Sequence, residues 1–488
     1  MDTVNPLMKS IEPHAARGRI YLLAIIAATL LAAALRLFNL GGFGFFGDEF
    51  ATVSTARGEH VMELNWPLFG WISQGAGKLL GVSEMTMRLA PAVFGIACIP
   101  LFYFAGRRVF GDLPMLLAGF LMATNHWHLF HSQNARFYTG VFLFSGLAIC
   151  WLARAIESGR AGFAVAAAFA VGISGCFHPT GVWPALAFAL FCPLALVAPS
   201  IRGKLSWPVV LAFYMPLALA AASIFLKAIF KTSTFIAGTG GWGYTPAHFL
   251  MGWARGVELP LLAVAGCWLL WMLRHDRAKG WFCLIVGAVP LAGIVVVAAI
   301  GKPVRPDYVF ASVPVWFILA GAGAAQVAAA ASVPLAARAG LILALFAAQF
   351  PSTVSHHLEN LTCDPRSAYS YVKTHGRDDD LYYHNFVPMM KYYTGRSAPQ
   401  LTSDKKELDP LLANVLAGGK TTWFLIRASR GGIGNDVLSD WLARHATVAA
   451  RFDAKRIDHE VSTLYVYRFD PPNTIVRPDD RKLSHERE

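Results

Sequence analysis

The chain is poor in charge. Only 15% of its 488 residues are charged, against 55% that are hydrophobic, and this balance excludes an ordinary soluble globular protein. Acidic residues are the scarcest: 12 of the 30 lie in the first 350 positions and the other 18 in the last 138. There is no CxxC and no Cys/His zinc spacing, which excludes a disulfide scaffold and a zinc module. Six of the seven cysteines (Cys98, Cys150, Cys176, Cys192, Cys267 and Cys283) lie in apolar stretches and act as small hydrophobes. No internal repeat of fixed period is present. The net charge of +12 is scattered through short connections instead of gathered on one face, so it does not point to nucleic acid.

What is present is a succession of apolar runs. A spanning helix needs about 20 apolar residues, and candidate spans lie near 20–38, 89–106, 114–126, 138–156, 162–178, 181–199, 207–226, 259–273, 281–300, 308–329 and 338–350. The expectation is an α-helical polytopic membrane protein of about 11 spans, with no acidic side chain inside a span. The first run, Ile20 to Leu35, follows Lys9, Arg17 and Arg19 and is long for a signal core, so it is expected to be a retained signal anchor. The connections holding Arg107 and Arg108, Arg154 to Arg160, Arg202 to Lys204, and Arg274, Arg277 and Lys279 are cytoplasmic by the positive-inside rule. The amino terminus is then inside. The long loops 39–88 and 227–258 and the carboxy-terminal segment are outside.

Residues 1–350 therefore form a multi-spanning domain. From Pro351 the continuous apolar runs stop, and 351–470 are expected to form a small extracytoplasmic α/β domain. Short buried strands are predicted at Asp380 to His384 and Thr421 to Ile426, and helices at Arg366 to His375 and Asp436 to His445. The tail 471–488, rich in Pro, Asp, Arg and Lys, has a disordered composition.

Few polar residues remain to carry chemistry. Asp48 and Glu49 are adjacent in the aromatic and glycine-rich loop after the first span. A carboxylate there can deprotonate an acceptor hydroxyl, or Asp48 can simply cap the helix that starts at Phe50. In the second external loop, Asn125 to Tyr138 carries Arg136, whose fork suits a phosphate, and Tyr138, a hydroxyl donor. Interfacial snorkelling would explain the same residues. His126, His128 and His131 lack a convergent helical spacing for a metal, and His131 is kept as a substrate contact, as is His178 at the external end of another span. A third external loop, Gly301 to Tyr308, brings together Lys302, Arg305 and Tyr308, cations that suit a lipid-linked phosphate at headgroup depth.

Taken in order, these segments resemble a family. Asp48-Glu49, the Asn65-Trp66-Pro67 segment, Arg88-Leu-Ala-Pro-Ala-Val-Phe-Gly, Ser132-Gln-Asn-Ala-Arg136-Phe-Tyr138, His178-Pro-Thr-Gly181 and the Arg305-to-Tyr308 loop cover most of the first 330 residues. They look like the GT-C dolichyl/polyprenyl-phosphate mannosyltransferase family, which includes aminoarabinose transferases that modify lipid A. The resemblance implies an inverting, polyprenyl-phosphate-sugar-dependent glycosyltransferase of the bacterial inner membrane, with an envelope lipid, glycan or protein as acceptor. By resemblance Asp48 would be the catalytic carboxylate, with Glu49 supporting it or helping to hold a divalent cation. Arg136, Tyr138, Lys302, Arg305 and Tyr308 would bind the donor phosphate. One departure stands out: Asn134 occupies the place of a family glutamate, so a role that needs a second carboxylate there is not carried over.

The competing class is a lipid or solute transporter or flippase. Ion-coupled transporters place ionisable groups within spans and show repeated halves, and neither feature is expected here.

Overall fold

The computed structural model describes residues 6–46, 48–59, 67–198, 201, 205–229, 245–302, 304–358, 365–385, 390–396, 398–401, 404–428, 436–453 and 463–471. Asn65 and Trp66, the basic connection at 202–204, residues 230–244 of the 227–258 loop and the tail from 472 lie outside the described residues. The chain forms two compact units: one of residues 1–41 and 52–356, the other of 42–51 and 357–488. The expected division after residue 350 does not anticipate that the loop carrying Asp48 and Glu49 belongs with the carboxy-terminal unit.

The first unit is helical. Its helices are α1 (Pro6–Leu37), α2 (Glu49–Ala56, whose first turn lies in the second unit), α3 (Pro67–Leu80), α4 (Glu84–Phe110), α5 (Asp112–Thr124), α6 (His126–Ser132) and α7 (Tyr138–Ser158). They continue with α8 (Ala161–Phe177), α9 (Trp183–Val197), α10 (Trp207–Ile229), α11 (Pro246–Val257), α12 (Leu259–His275), α13 (Arg277–Ala299), α14 (Val313–Ala329), α15 (Leu335–Ala347) and α16 (Phe350–Leu358). Short 3-10 turns, Pro179–Val182 and Pro306–Ser312, lead into α9 and α14. Local chemistry sets several ends. Ser83 accepts from Thr86 N–H to start α4, Asn125 accepts from His128 N–H to start α6, and Gly159 stops α7 at φ 66°.

The described residues of all eleven apolar stretches fall largely in helices, and a count of eleven spans is not confirmed. Among the described residues seven segments are long and apolar enough to cross a membrane, and the pair α11 and α12, bent by 89° at Glu258, makes an eighth if taken as one span. Asp112–Thr124, Ala161–Phe177 and Trp207–Ala218 are apolar but shorter. The expectation of acid-free spans is also corrected: the spanning helices take in Glu84, Glu157 and Asp307 near their ends. A hydropathy window stops at the first charge, whereas the backbone ladder continues into the headgroup region, where a charge is tolerated.

The segments Tyr138–Ser158 and Pro306–Ala329 form the middle, with 83% and 89% of their apolar windows buried, against 11% for Leu335–Leu358. Close packing there rests on small residues. At Gly321 a Cβ would collide with Pro114 O and lie 2.6 Å from Ala118 N, so only glycine lets α14 approach α5. Large apolar side chains such as Leu23, Leu30, Phe169, Val197 and Leu211 face outward and are exposed, a surface suited to lipid and costly in water. These features mark an integral membrane protein. At one end of the bundle Lys279 Nζ reaches Glu157 (2.9 Å), Asp276 (3.3 Å) and Val109 O (3.3 Å), gathering three of the basic connections.

The second unit has one sheet in the order β1-β2-β4-β3, made of Leu381–His384, Thr422–Ala428, Thr463–Phe469 and Thr447–Asp453. β1 is parallel to β2, and the other two pairings are antiparallel. Helices α17 (Pro365–His375), α18 (Met390–Thr394), α19 (Lys405–Ala417) and α20 (Asp436–His445) complete it. Both predicted strands and both predicted helices are present. β3 and β4 were not named from sequence: Arg451 and Asp453 interrupt the apolar pattern of β3, whereas the aromatic and β-branched run Leu464 to Tyr467 of β4 was a strand signal that could have been read. Phe424, Ile426, Leu408, Leu412, Leu438 and Leu442 form the core.

Candidate active site

The segment 125–138 is held by its own polar residues. Gln133 Nε2 donates to the carbonyls of Leu35 (3.3 Å), Arg36 (3.0 Å) and Phe38 (2.8 Å), closing the end of α1. Arg36 is fully buried and donates to Met122 O (3.0 Å), Ala123 O (2.9 Å), Ser132 Oγ (3.2 Å) and His128 Nδ1 (2.6 Å). Because a guanidinium only donates, His128 Nδ1 must accept, and the ring is neutral. Burial, then the charges of Arg36 and His131, hold His128 well below the ordinary histidine range. The three histidines of this segment go to different partners: His126 to Glu258 (3.0 Å), His128 to Arg36, and His131 to Asp307 (3.0 Å).

Asp307 is the hub of the cluster. Its Oδ1 accepts from Trp127 Nε1 (3.3 Å) and lies 3.0 Å from His131 Nε2, and its Oδ2 lies 3.4 Å from Arg305 Nε. It thereby joins the 125–138 segment to the 301–308 loop. The Tyr138 ring packs 4.6 Å from the His131 ring, and the charges of Asp307, Arg305 and Arg136 all bear on its phenol. Arg136 is 6% exposed, with its guanidinium carbon 4.7 Å from the Phe137 centroid. Such burial does not suit a snorkelling anchor.

His178 stacks on Phe137 at 4.3 Å and lies 6.1 Å from the Tyr308 ring. Its Nδ1 accepts from Thr180 N–H (3.3 Å), so a neutral ring carries its proton on Nε2. Burial, then the charge of Arg136, lowers its pKa to about 3, and the ring stays neutral at any physiological pH. Trp183 Nε1 donates to Tyr308 O (3.1 Å) and fixes that loop. Thus His131, Arg136, Tyr138, His178, Arg305 and Tyr308 come together in one cluster. Lys302 sits at the end of α13, where its N–H donates to Val297 O at 3.2 Å, and its side chain is half-buried.

Asp48 and Glu49, in the second unit, are adjacent but have opposite environments. Asp48 is exposed, whereas Glu49 is fully buried and its Oε2 accepts from Phe46 N–H at 3.1 Å. The preceding residues pack on helices α17 and α18. Phe45 N–H donates to Tyr393 Oη (2.7 Å), and Arg366 donates to the carbonyls of Gly42 and Phe43, both at 3.3 Å.

No family model matches the chain, and no curated protein matches it in sequence. Solved structures do. Apo ArnT from Cupriavidus metallidurans, an aminoarabinose transferase, is similar with a TM-score of 0.61 at 14% identity over 92% of this chain and 98% of that one. The same protein bound to undecaprenyl phosphate gives 0.56 at 14% identity, over 91% and 98%. The archaeal oligosaccharyltransferase AglB from Archaeoglobus fulgidus, in complex with an inhibitory peptide and a dolichol-phosphate, gives 0.55 at 12% identity, over 84% and 70%. The chain has the GT-C fold.

Within this GT-C fold, Asn134 is 8% exposed and its Oδ1 has no hydrogen-bond partner among the described residues. Among those residues no three His, Cys, Asp or Glu side chains converge as metal ligands. Asp307 and Arg36 were not singled out from sequence. The scarcity of acid that drew attention to Asp48 applied equally to Asp307, flanked by Arg305 and Tyr308.

Proposed function

We propose that this protein is an inverting glycosyltransferase that moves a sugar from a polyprenyl-phosphate donor to an envelope lipid, glycan or protein. The observation that carries the reading is the gathering of two arginines, Arg136 and Arg305, with Tyr138, Tyr308 and His178 among apolar helices, in a fold shared with a transferase solved with undecaprenyl phosphate. In the reaction the acceptor oxygen attacks the anomeric carbon, the bond from that carbon to the phosphate oxygen breaks, and polyprenyl phosphate departs with the electron pair. The acceptor proton passes to Asp48, which its exposure leaves accessible. The arginines, with Lys302, receive the growing phosphate charge, and Tyr138 and Tyr308 donate hydroxyl hydrogen bonds. His178 and His131 contact the substrate. No step is routed through a divalent cation.

Deletion of the gene should remove one sugar from an envelope lipid or glycan and leave the matching polyprenyl-phosphate sugar to accumulate, read by mass spectrometry of lipid and glycan extracts. An unchanged glycan and lipid profile, with no accumulated donor, would contradict the proposal.

We place the protein in a bacterial inner membrane with the active site and carboxy-terminal unit on the non-cytoplasmic face. The support is the basic connections gathered at one end around Lys279. In spheroplasts a membrane-impermeant maleimide should label Lys420→Cys directly and Ser158→Cys only after permeabilisation. The reverse pattern would invert the topology.

A further inference from the structure

The loop that carries Asp48 is short, rich in glycine and free of regular structure before α2, so without support it would sample many conformations. It is nevertheless held at five points, all within the second unit. Arg366, at the start of α17, sends Nη1 to Gly42 O and Nη2 to Phe43 O, so one fork grasps two successive carbonyls. Tyr393 Oη accepts from Phe45 N–H at 2.7 Å, and the ring of Tyr392 meets that of Phe45 edge-on at 5.5 Å. Phe45 itself is fully buried, and Tyr369, also fully buried, stacks on Tyr393 at 5.5 Å. Gly44 lies so close to α17 that an added Cβ would stand 2.8 Å from Arg366 Cβ and 3.0 Å from Arg366 N, closer than real side chains allow. On the far side of Asp48, the buried Glu49 carboxylate closes a turn onto Phe46 N–H.

From this we infer that the carboxy-terminal unit is a positioning platform for the proposed catalytic loop, with Arg366 and Tyr393 as the positioning residues that set where Asp48 stands. The two halves of the support bracket the carboxylate, one holding 42–45 and the other closing 46–49, and leave Asp48 as the exposed acid of the loop. Helices α17 and α18 present both side chains, and Tyr369 on α17 packs between them and the unit's interior. The inference rests on the transferase reading only for its kinetic consequence. The clamp itself is a property of the fold.

The test therefore has two arms, both on the full-length protein in lipid nanodiscs, with the variants Arg366→Ala, Arg366→Lys, Tyr393→Phe and Gly44→Ala. Hydrogen–deuterium exchange should show the amides of 42–51 exchanging about ten-fold faster or more in Arg366→Ala and Tyr393→Phe. Peptides from the central strands, Thr422–Ala428 and Thr463–Phe469, should be unchanged, which shows that the unit is still folded. In the kinetic arm kcat should fall by about ten- to a hundred-fold, the scale of a misplaced catalytic group. KM for the polyprenyl-phosphate donor should stay within about two-fold, since the phosphate ligands are untouched. Arg366→Lys should recover little, because an ammonium cannot bridge two carbonyls as a fork does. Unchanged exchange of 42–51 overturns the clamp. Faster exchange with full kcat overturns the positioning role if Asp48→Asn is inactive. If Asp48→Asn is active too, the same result locates the failure in the catalytic reading of Asp48 instead.

Discussion

Asp48→Asn should abolish sugar transfer, lowering kcat by about 10²–10⁴-fold, the usual contribution of a general base. Its exposure is what makes the result interpretable. An exposed carboxylate exchanged for an isosteric amide removes no packing, so expression and thermal stability in detergent should match the parent protein. An asparagine side chain keeps an oxygen able to cap α2, so a mere helix cap would survive the exchange with activity nearly intact. Near-normal turnover with donor lipid would return Asp48 to that role. Glu49→Gln is the informative companion. Its buried side chain accepts a backbone N–H, which a glutamine oxygen can still do, so the loss should be smaller and should come through the loop and not through proton transfer.

Arg136→Ala and Arg305→Ala should each cost about 10²–10³ in kcat, because a donor aimed at developing charge is worth that much once water is excluded. Lysine at either position should also be impaired, with a raised requirement for donor and no change in acceptor dependence, since it keeps the charge but not the planar fork. Simple interfacial anchors would behave differently, because lysine snorkels as well as arginine does. The environment of Arg136, buried with its guanidinium against Phe137, favours the ligand role. Asp307→Asn should weaken donor use in the same sense while Arg305 is still present. Asp307 holds Arg305 through one oxygen and His131 and Trp127 through the other, and an amide cannot serve all three. Initial rates against donor concentration at saturating acceptor would decide, and unchanged kinetics in all these variants would remove the phosphate-binding assignment.

Much of this protein follows from hydropathy and charge along one dimension. A run of apolar residues has to become a helix wherever water is missing, because each backbone N–H and C=O needs a partner and only the helix supplies both within its own segment. The described residues of all eleven apolar stretches are accordingly largely helical, and the shift in composition near Pro351 marks a different kind of structure. The adjacent carboxylates Asp48 and Glu49 were legible for a related reason. In a chain with 12 acidic residues in its first 350, each one carries information.

What linear pattern could not decide was which separated segments meet. Helix length against bilayer thickness depends on bends such as the 89° turn at Glu258, which a hydropathy window does not register. Whether Arg136 is a buried ligand candidate or an anchor depended on Phe137 and on the return of His178 beside it. Asp307 acquires its role only when α6 brings His131 and Trp127 to it across the sequence. Above all, nothing in residues 42–51 announces that Arg366 and Tyr393 hold them. Sequence by itself determined the apolar helices and the change of composition, since these follow from local backbone and solvation energies, and it offered a short list of candidate side chains. Tertiary structure alone decided their partners, because hydrogen bonds and ring contacts between residues more than three hundred positions apart depend on how the chain closes on itself.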